Sequence, residues 1–187
     1  MKSTIRIIIT LSVVSLVLGI AIHRYLNMPR GNYDQLIYQY SKEYDLEPEL
    51  VFAVIKTESN FDANARSAKN AYGLMQITVE TLHWAQMRSN EKDLYQAEDL
   101  YQPEINIKYG CCILSILTDE FQDRNTILAA YNAGRGNVLN WLKDSRYSDG
   151  LVIKTTPFNE TNQYIQKVNK YYQFYKESGE TNHELIL

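Results

Sequence analysis

Pro48-Glu49-Leu50-Val51-Phe52-Ala53-Val54-Ile55-Lys56-Thr57-Glu58-Ser59 is the stretch on which the reading of this 187-residue chain turns. Proline is well placed at a first helical position, so Pro48 predicts a helix start, with the helix running to about Ser59. Val51, Val54 and Ile55 recur at the three-four spacing of one helix face, and Glu58 occupies the next position of that apolar stripe. A carboxylate there is expected to be partly buried. Removal from water disfavours its charged form and raises its pKa, as a general acid working near neutral pH requires. The alternative is a glutamate that ends the helix and turns to solvent, or pairs with Lys56 or Arg66.

Working outward, apolar residues recur at helical spacing almost everywhere, and no long alternating pattern suggests a large sheet. The expected fold class is mainly α. Leu36, Ile37, Tyr40 and Tyr44 mark an earlier helix. Pro103 opens the expected longest and central one, with Ile105, Tyr109, Cys112, Ile113, Ile116, Leu117 and Phe121 on a broad stripe. Shorter helices are expected around Thr126–Tyr131 and Asn137–Lys143. The last, about Asn159–Tyr175, places Tyr164, Ile165, Val168, Tyr171, Tyr172 and Tyr175 on one face. One domain over residues 33–178 is expected, followed by a polar tail at 179–187.

Composition narrows the function classes. At 45% hydrophobic and 22% charged the chain reads as globular, and its formal net charge of -3 offers no basic excess to neutralise phosphates. Nucleic acid is not an expected partner. Cys111 and Cys112 are adjacent within an apolar helical pattern, which suits small core side chains and not a disulfide framework. His23, His83 and His183 are scattered without zinc-site spacing, so neither a metal nor a cofactor is expected.

The amino-terminus reads as an address. Lys2 and Arg6 precede an apolar run from Ile7 to Ile22, which His23, Arg24 and Pro29-Arg30-Gly31 terminate. Residues 1–26 are expected to form a signal anchor or signal peptide, and residues 27–32 a linker. The run has no polar face, which disfavours a buried core helix. Either export reading places the domain outside the cytoplasm.

Four further blocks carry a resemblance. They are Glu58-Ser59-Asn60-Phe61 with Ser67 beyond it, Gly73-Leu74-Met75-Gln76-Ile77, Ala129-Ala130-Tyr131-Asn132-Ala133-Gly134, and Pro157-Phe158-Asn159-Glu160-Thr161-Asn162-Gln163-Tyr164-Ile165. In this order and spacing they resemble the soluble lytic transglycosylase family, over roughly Tyr33 to Tyr175. One departure is Thr78-Val79, where the family commonly has a proline after the Gln-Ile segment; it touches a helix start. The resemblance implies a single catalytic domain with a cleft, in the lysozyme-like α+β superfamily. It also implies peptidoglycan glycan strands as substrate and a bacterial cell-envelope setting, at the extracytoplasmic face of the plasma membrane, or secreted if the signal is cleaved.

The resemblance assigns Glu58 as the catalytic acid. Protonated, it would protonate the oxygen of the MurNAc-GlcNAc β-1,4 bond as that bond breaks. As a carboxylate, it would then take the proton of the muramoyl C6 hydroxyl, which closes a 1,6-anhydro ring. Hydrolytic glycosidases usually employ a second carboxylate, and the candidates are Asp62, which also suits capping or solvent, and Glu160, which also suits a first-turn acid. By resemblance Glu160, Met75 and Gln76 contact sugar, Met75 through apolar contact and Gln76 through its amide, while Ser67 is a weaker candidate. Tyr131 is expected to donate its hydroxyl hydrogen to Glu58, and Asn132 to orient substrate. The residue types alone also allow Met75 and Tyr131 to be core, and Asn132 to end a helix before Gly134. Tyr72 and Tyr164 are further cleft candidates. The competing readings are a hydrolytic muramidase of the same fold and a non-catalytic peptidoglycan-binding module.

Overall fold

The computed structural model describes residues 33–89 and 95–178. The expected anchor, linker and polar tail lie outside them. Among the described residues the elements run α1 (Asp34–Glu43), α2 (Pro48–Glu58), β1 (Ala71–Tyr72), β2 (Ile77–Thr78), α3 (Val79–Ser89), a 3₁₀ helix (Ala97–Tyr101), α4 (Pro103–Phe121), α5 (Arg124–Ala133), α6 (Arg135–Trp141) and α7 (Asn159–Ser178). The fold is mainly α, as the spacing of apolar residues predicts. None of the described helices is long and apolar enough to cross a membrane.

Pro48 opens α2, and Leu50 through Lys56 are all buried, so this helix is covered on every side and not along one stripe only. It packs chiefly on α7 and α1. Each apolar side chain fully removed from water contributes roughly 1.5–3 kcal/mol, which makes α2 a principal stabilising element. On α7 the tyrosine-rich face expected from sequence is present, with Tyr164, Val168, Tyr172 and Tyr175 buried and Ile165 and Tyr171 partly so. At 20 residues α7 exceeds the 19 of α4, so α4 is not the longest helix as expected. It is nonetheless heavily buried and carries α1, α3 and α5 on its flanks. Cys111 and Cys112 are buried within it as thiols, not bridged by a disulfide.

Two features have no strong periodic signal. Ala71 pairs with Thr78 and Tyr72 with Ile77 in an antiparallel ribbon, joined by a turn at residues 73–76. Directly after it α3 starts at Val79, and the Thr78 hydroxyl accepts from the Thr81 N–H at 3.2 Å, satisfying one of the orphan donors of the first turn. Gly134, at φ 91°, separates α5 from α6, a backbone state open to glycine at little cost.

Candidate active site

Glu58 is the last residue of α2, and Ser59 closes the helix by donating from Oγ to the Leu74 carbonyl at 2.8 Å. That bond draws the helix end against the 73–76 turn. The same turn is held from α4 by Asn106, whose Oδ1 accepts from the Met75 N–H at 2.7 Å, and from α5 by Tyr131, whose hydroxyl donates to the Met75 carbonyl at 2.9 Å. Three helices therefore converge on one short turn. Gly73 makes this possible: its φ is 73°, and a Cβ there would lie 2.3 Å from the Leu100 carbonyl oxygen.

The resulting cleft has a volume of about 340 Å³ and is lined by Glu58, Ser67, Gln76, Tyr131, Asn132 and Glu160 among others. Six of the seven site residues expected from sequence thus share one cavity. Met75 does not join them through its side chain, which is fully buried and packed against Gly110 of α4. The expected apolar contact of Met75 with sugar is therefore corrected. Met75 serves the site through its backbone, and the core reading of the side chain holds.

Glu58 keeps a side open to the cleft while protein surrounds most of its carboxyl. Burial raises its pKa from 4.5 to about 7; the Tyr164 hydroxyl lowers it, and the Glu160 charge adds to the rise. Its place at the C-terminal end of α2, where the helix dipole is negative, also disfavours the anion. Lys56 donates to Asn60 Oδ1 at 2.6 Å, and Arg66 donates to Asn70 Oδ1 at 2.9 Å while covering the Tyr72 ring. The arrangement is that of a carboxyl poised to hold a proton near neutral pH.

The Tyr131 hydroxyl differs from expectation: its proton goes to the Met75 carbonyl and not to Glu58. A phenol has one O–H, so what Tyr131 offers Glu58 is oxygen, not hydrogen. The hydroxyl that favours the Glu58 anion is instead that of Tyr164 of α7. Its hydroxyl is buried and closes no hydrogen bond of standard geometry with the described residues, yet lies close enough to lower the Glu58 pKa. The sequence singles out Tyr164 as a cleft candidate by its place in the fourth block, but not as a partner of Glu58.

Asn132 accepts at Oδ1 from the Thr161 hydroxyl at 2.9 Å, which leaves its Nδ2 as the donor for a ligand. Gln76 Nε2 donates to the carbonyls of Gly73 at 2.9 Å and Ala65 at 3.2 Å, so its amide hydrogens brace the turn and Oε1 remains as acceptor. Ser67 Oγ accepts from the N–H groups of Ala71 at 3.1 Å and Lys69 at 3.2 Å, and its own hydrogen can still be donated. Glu160 pairs with Lys69 at 3.2 Å across the mouth of the cleft, and both side chains are largely exposed. Asp62 is exposed and accepts from the Asn64 N–H at 2.9 Å, a turn-capping role away from the cleft lining. Among the described residues no cluster of His, Cys, Asp and Glu converges to hold a metal ion.

Residues 35–152 match the family described as Transglycosylase SLT domain. The soluble lytic murein transglycosylase of Salmonella typhimurium is 31% identical over 147 residues, covering 77% of this chain and 23% of that protein. The membrane-bound lytic murein transglycosylase C of Shigella sonnei is 29% identical over 176 residues, covering 82% of this chain and 47% of that protein. Among solved structures, an inactive Glu-to-Gln variant of the Pseudomonas aeruginosa lytic transglycosylase Slt is similar at a TM-score of 0.68 and 34% identity, covering 77% of this chain and 24% of that one. The 70 kDa soluble lytic transglycosylase of Escherichia coli is similar at a TM-score of 0.71 and 28% identity, covering 79% and 24%. The chain thus spans about a quarter to a half of the length of these relatives. With the family match covering more than half of its residues, the chain belongs to the transglycosylase SLT domain family.

Proposed function

We propose that this chain is a peptidoglycan lytic transglycosylase in which Glu58 acts first as general acid and then as general base. The observation that carries the reading is a mostly buried carboxyl at the cleft, Glu58, whose pKa burial raises to about 7 so that it can hold a proton near neutral pH. The glycosidic oxygen between N-acetylmuramic acid and N-acetylglucosamine leaves poorly unless it is protonated as the bond breaks, and Glu58 can supply that proton. Glu160, the other carboxylate lining the cleft, is engaged at its mouth by Lys69, which favours a role in holding substrate over one as nucleophile. With no committed nucleophile among the described residues of the cleft, the muramoyl C6 hydroxyl attacks the anomeric carbon, Glu58 takes its proton, and a 1,6-anhydro end forms. Tyr164 suits the second half of the cycle, because a hydroxyl beside the carboxyl gains a charged acceptor when Glu58 ionises.

Asn132 Nδ2, Gln76 Oε1 and the Ser67 hydroxyl form a set of one donor, one acceptor and one that is either, which suits the amide and hydroxyl groups of N-acetylated sugars. The decisive variant is Glu58→Gln, which keeps shape and removes the acidic proton. It should fold and bind glycan strands while losing cleavage by about 10² or more. Activity within about tenfold of wild type would sink the assignment.

We also infer that the apolar run Ile7–Ile22 carries the catalytic domain at the extracytoplasmic face of the membrane, on the sequence grounds given above. Full-length protein should then fractionate with membranes, and a chain beginning at Asn32 should be soluble and active. Protection of the carboxyl-terminal part from protease added to intact protoplasts would refute that topology.

A further inference from the structure

Asn106 sits in the first turns of α4, fully buried, with all the polar groups of its side chain engaged. Its Nδ2 donates to the carbonyls of Leu100 at 2.7 Å and Tyr72 at 2.9 Å, and its Oδ1 accepts from the Met75 N–H at 2.7 Å. One amide thereby fixes the 3₁₀ helix, β1 and the cleft turn to a single point. The Met75 peptide is then gripped on both sides, since its carbonyl accepts from the Tyr131 hydroxyl at 2.9 Å. Met75 is also seated closely on α4: a Cβ on Gly110 would fall 2.1 Å from the Met75 sulfur.

We propose that Asn106 is a positioning residue for the reaction: by clamping the Met75 peptide it keeps the Tyr131 hydroxyl donating to Met75, so that Tyr131 presents oxygen lone pairs, and not a proton, to Glu58. A lone pair facing a carboxyl favours its protonated, proton-donating form; a hydroxyl hydrogen there favours the carboxylate. Among the described residues, the titratable groups facing Glu58 are Tyr131 from α5 and Tyr164 and Glu160 from α7, with Lys69 before β1 paired to Glu160. Cys111 of α4 lies near Tyr131, and burial raises its pKa, keeping the thiol neutral. Of these groups, Tyr131 is the one whose hydroxyl direction is set by Asn106.

This inference rests on Glu58 being the acid, and its test is separable from that reading because it compares active proteins. In Asn106→Ala the Met75 peptide is released, and the Tyr131 hydroxyl can turn to Glu58. The alkaline limb of kcat/KM on soluble uncrosslinked glycan strands should move down by about one pH unit. Protein that is folded by circular dichroism should then lose about tenfold at about pH 8 while staying within about twofold of wild type at about pH 5. In a Tyr131→Phe background the same substitution should leave the limb where Tyr131→Phe placed it. A purely structural role predicts a loss uniform across pH and unchanged by Tyr131→Phe, and that result, or an unmoved limb, overturns the proposal. Should Asn106→Ala fail to fold, Gly110→Ala carries the same test, because its methyl displaces the flexible Met75 side chain and with it the peptide. An unmoved limb in folded Gly110→Ala overturns the proposal equally. Absence of turnover in wild-type protein would instead strike at the proposed function itself.

Discussion

The buried Tyr164 hydroxyl on α7 lies against the Glu58 carboxyl at the end of α2, and it lowers the pKa that burial raises. Removing it in Tyr164→Phe takes away the hydroxyl that, among the described residues, favours the carboxylate. The alkaline limb of the activity profile should then move up, by on the order of half a unit to one unit, while maximal turnover falls if the proposed base step loses its support. Stability should change by about 1 kcal/mol or less, since the hydroxyl closes no standard hydrogen bond with the described residues. A limb that stays in place would remove Tyr164 from the site.

Glu58 should also make folding stability depend on pH in a defined direction. Its folded pKa is raised from 4.5 to about 7, so between those values the folded protein keeps a proton that the unfolded chain has released. The stability contribution of the protonated group is complete below about pH 4.5 and is lost as pH rises through about 7. Glu58→Gln abolishes this cost. Relative to wild type, the variant should gain on the order of 2 kcal/mol between about pH 4 and about pH 8, a figure that allows for the side of the carboxyl open to cleft water. Denaturant melts at the two pH values read the difference; a variant-to-wild-type gap that does not widen with pH contradicts the burial of the acid.

The 73–76 turn makes a separate prediction about folding. Gly73→Ala would place a methyl 2.3 Å from the Leu100 carbonyl and 2.4 Å from Asn106 Nδ2, at a φ of 73° that side chains resist. A loss of about 2 kcal/mol or more is expected, seen as a fall in Tm of about 5 °C or more. A Tm within about 2 °C of wild type would mean that the turn tolerates displacement, and that the convergence of α2, α4 and α5 upon it is weaker than described.

Much of this arrangement is legible in the sequence because it depends on spacing. Val51, Val54 and Ile55 identify a buried face, and Glu58 at its next turn stands out as a charge in that face. Helix starts at Pro48 and Pro103 follow from the fixed φ of proline and its missing N–H. What spacing does not reveal is which polar partner a buried group selects. Met75 and Gln76 are neighbours in the same block, yet Met75 turns onto Gly110 in the core and Gln76 turns to the cleft, a choice made by the positive φ of Gly73 and Gln76. The Tyr131 hydroxyl reaches the Met75 carbonyl across 56 positions of sequence, and Asn106 reaches Met75 across 31. Neither bond leaves a periodic trace. The two-residue strands are equally silent, being too short for alternation to register.

The central claim, that Glu58 drives an intramolecular transfer, is tested most directly by the products formed from purified peptidoglycan in water enriched with heavy oxygen. A bound C6 hydroxyl acts at effective molarities of about 10⁵ M or more, so it should outcompete water even in an open cleft. The account predicts muramoyl ends that carry no label and weigh one water less than reducing ends, all of them lost in Glu58→Gln. Predominantly labelled reducing ends would contradict it and make the protein a muramidase.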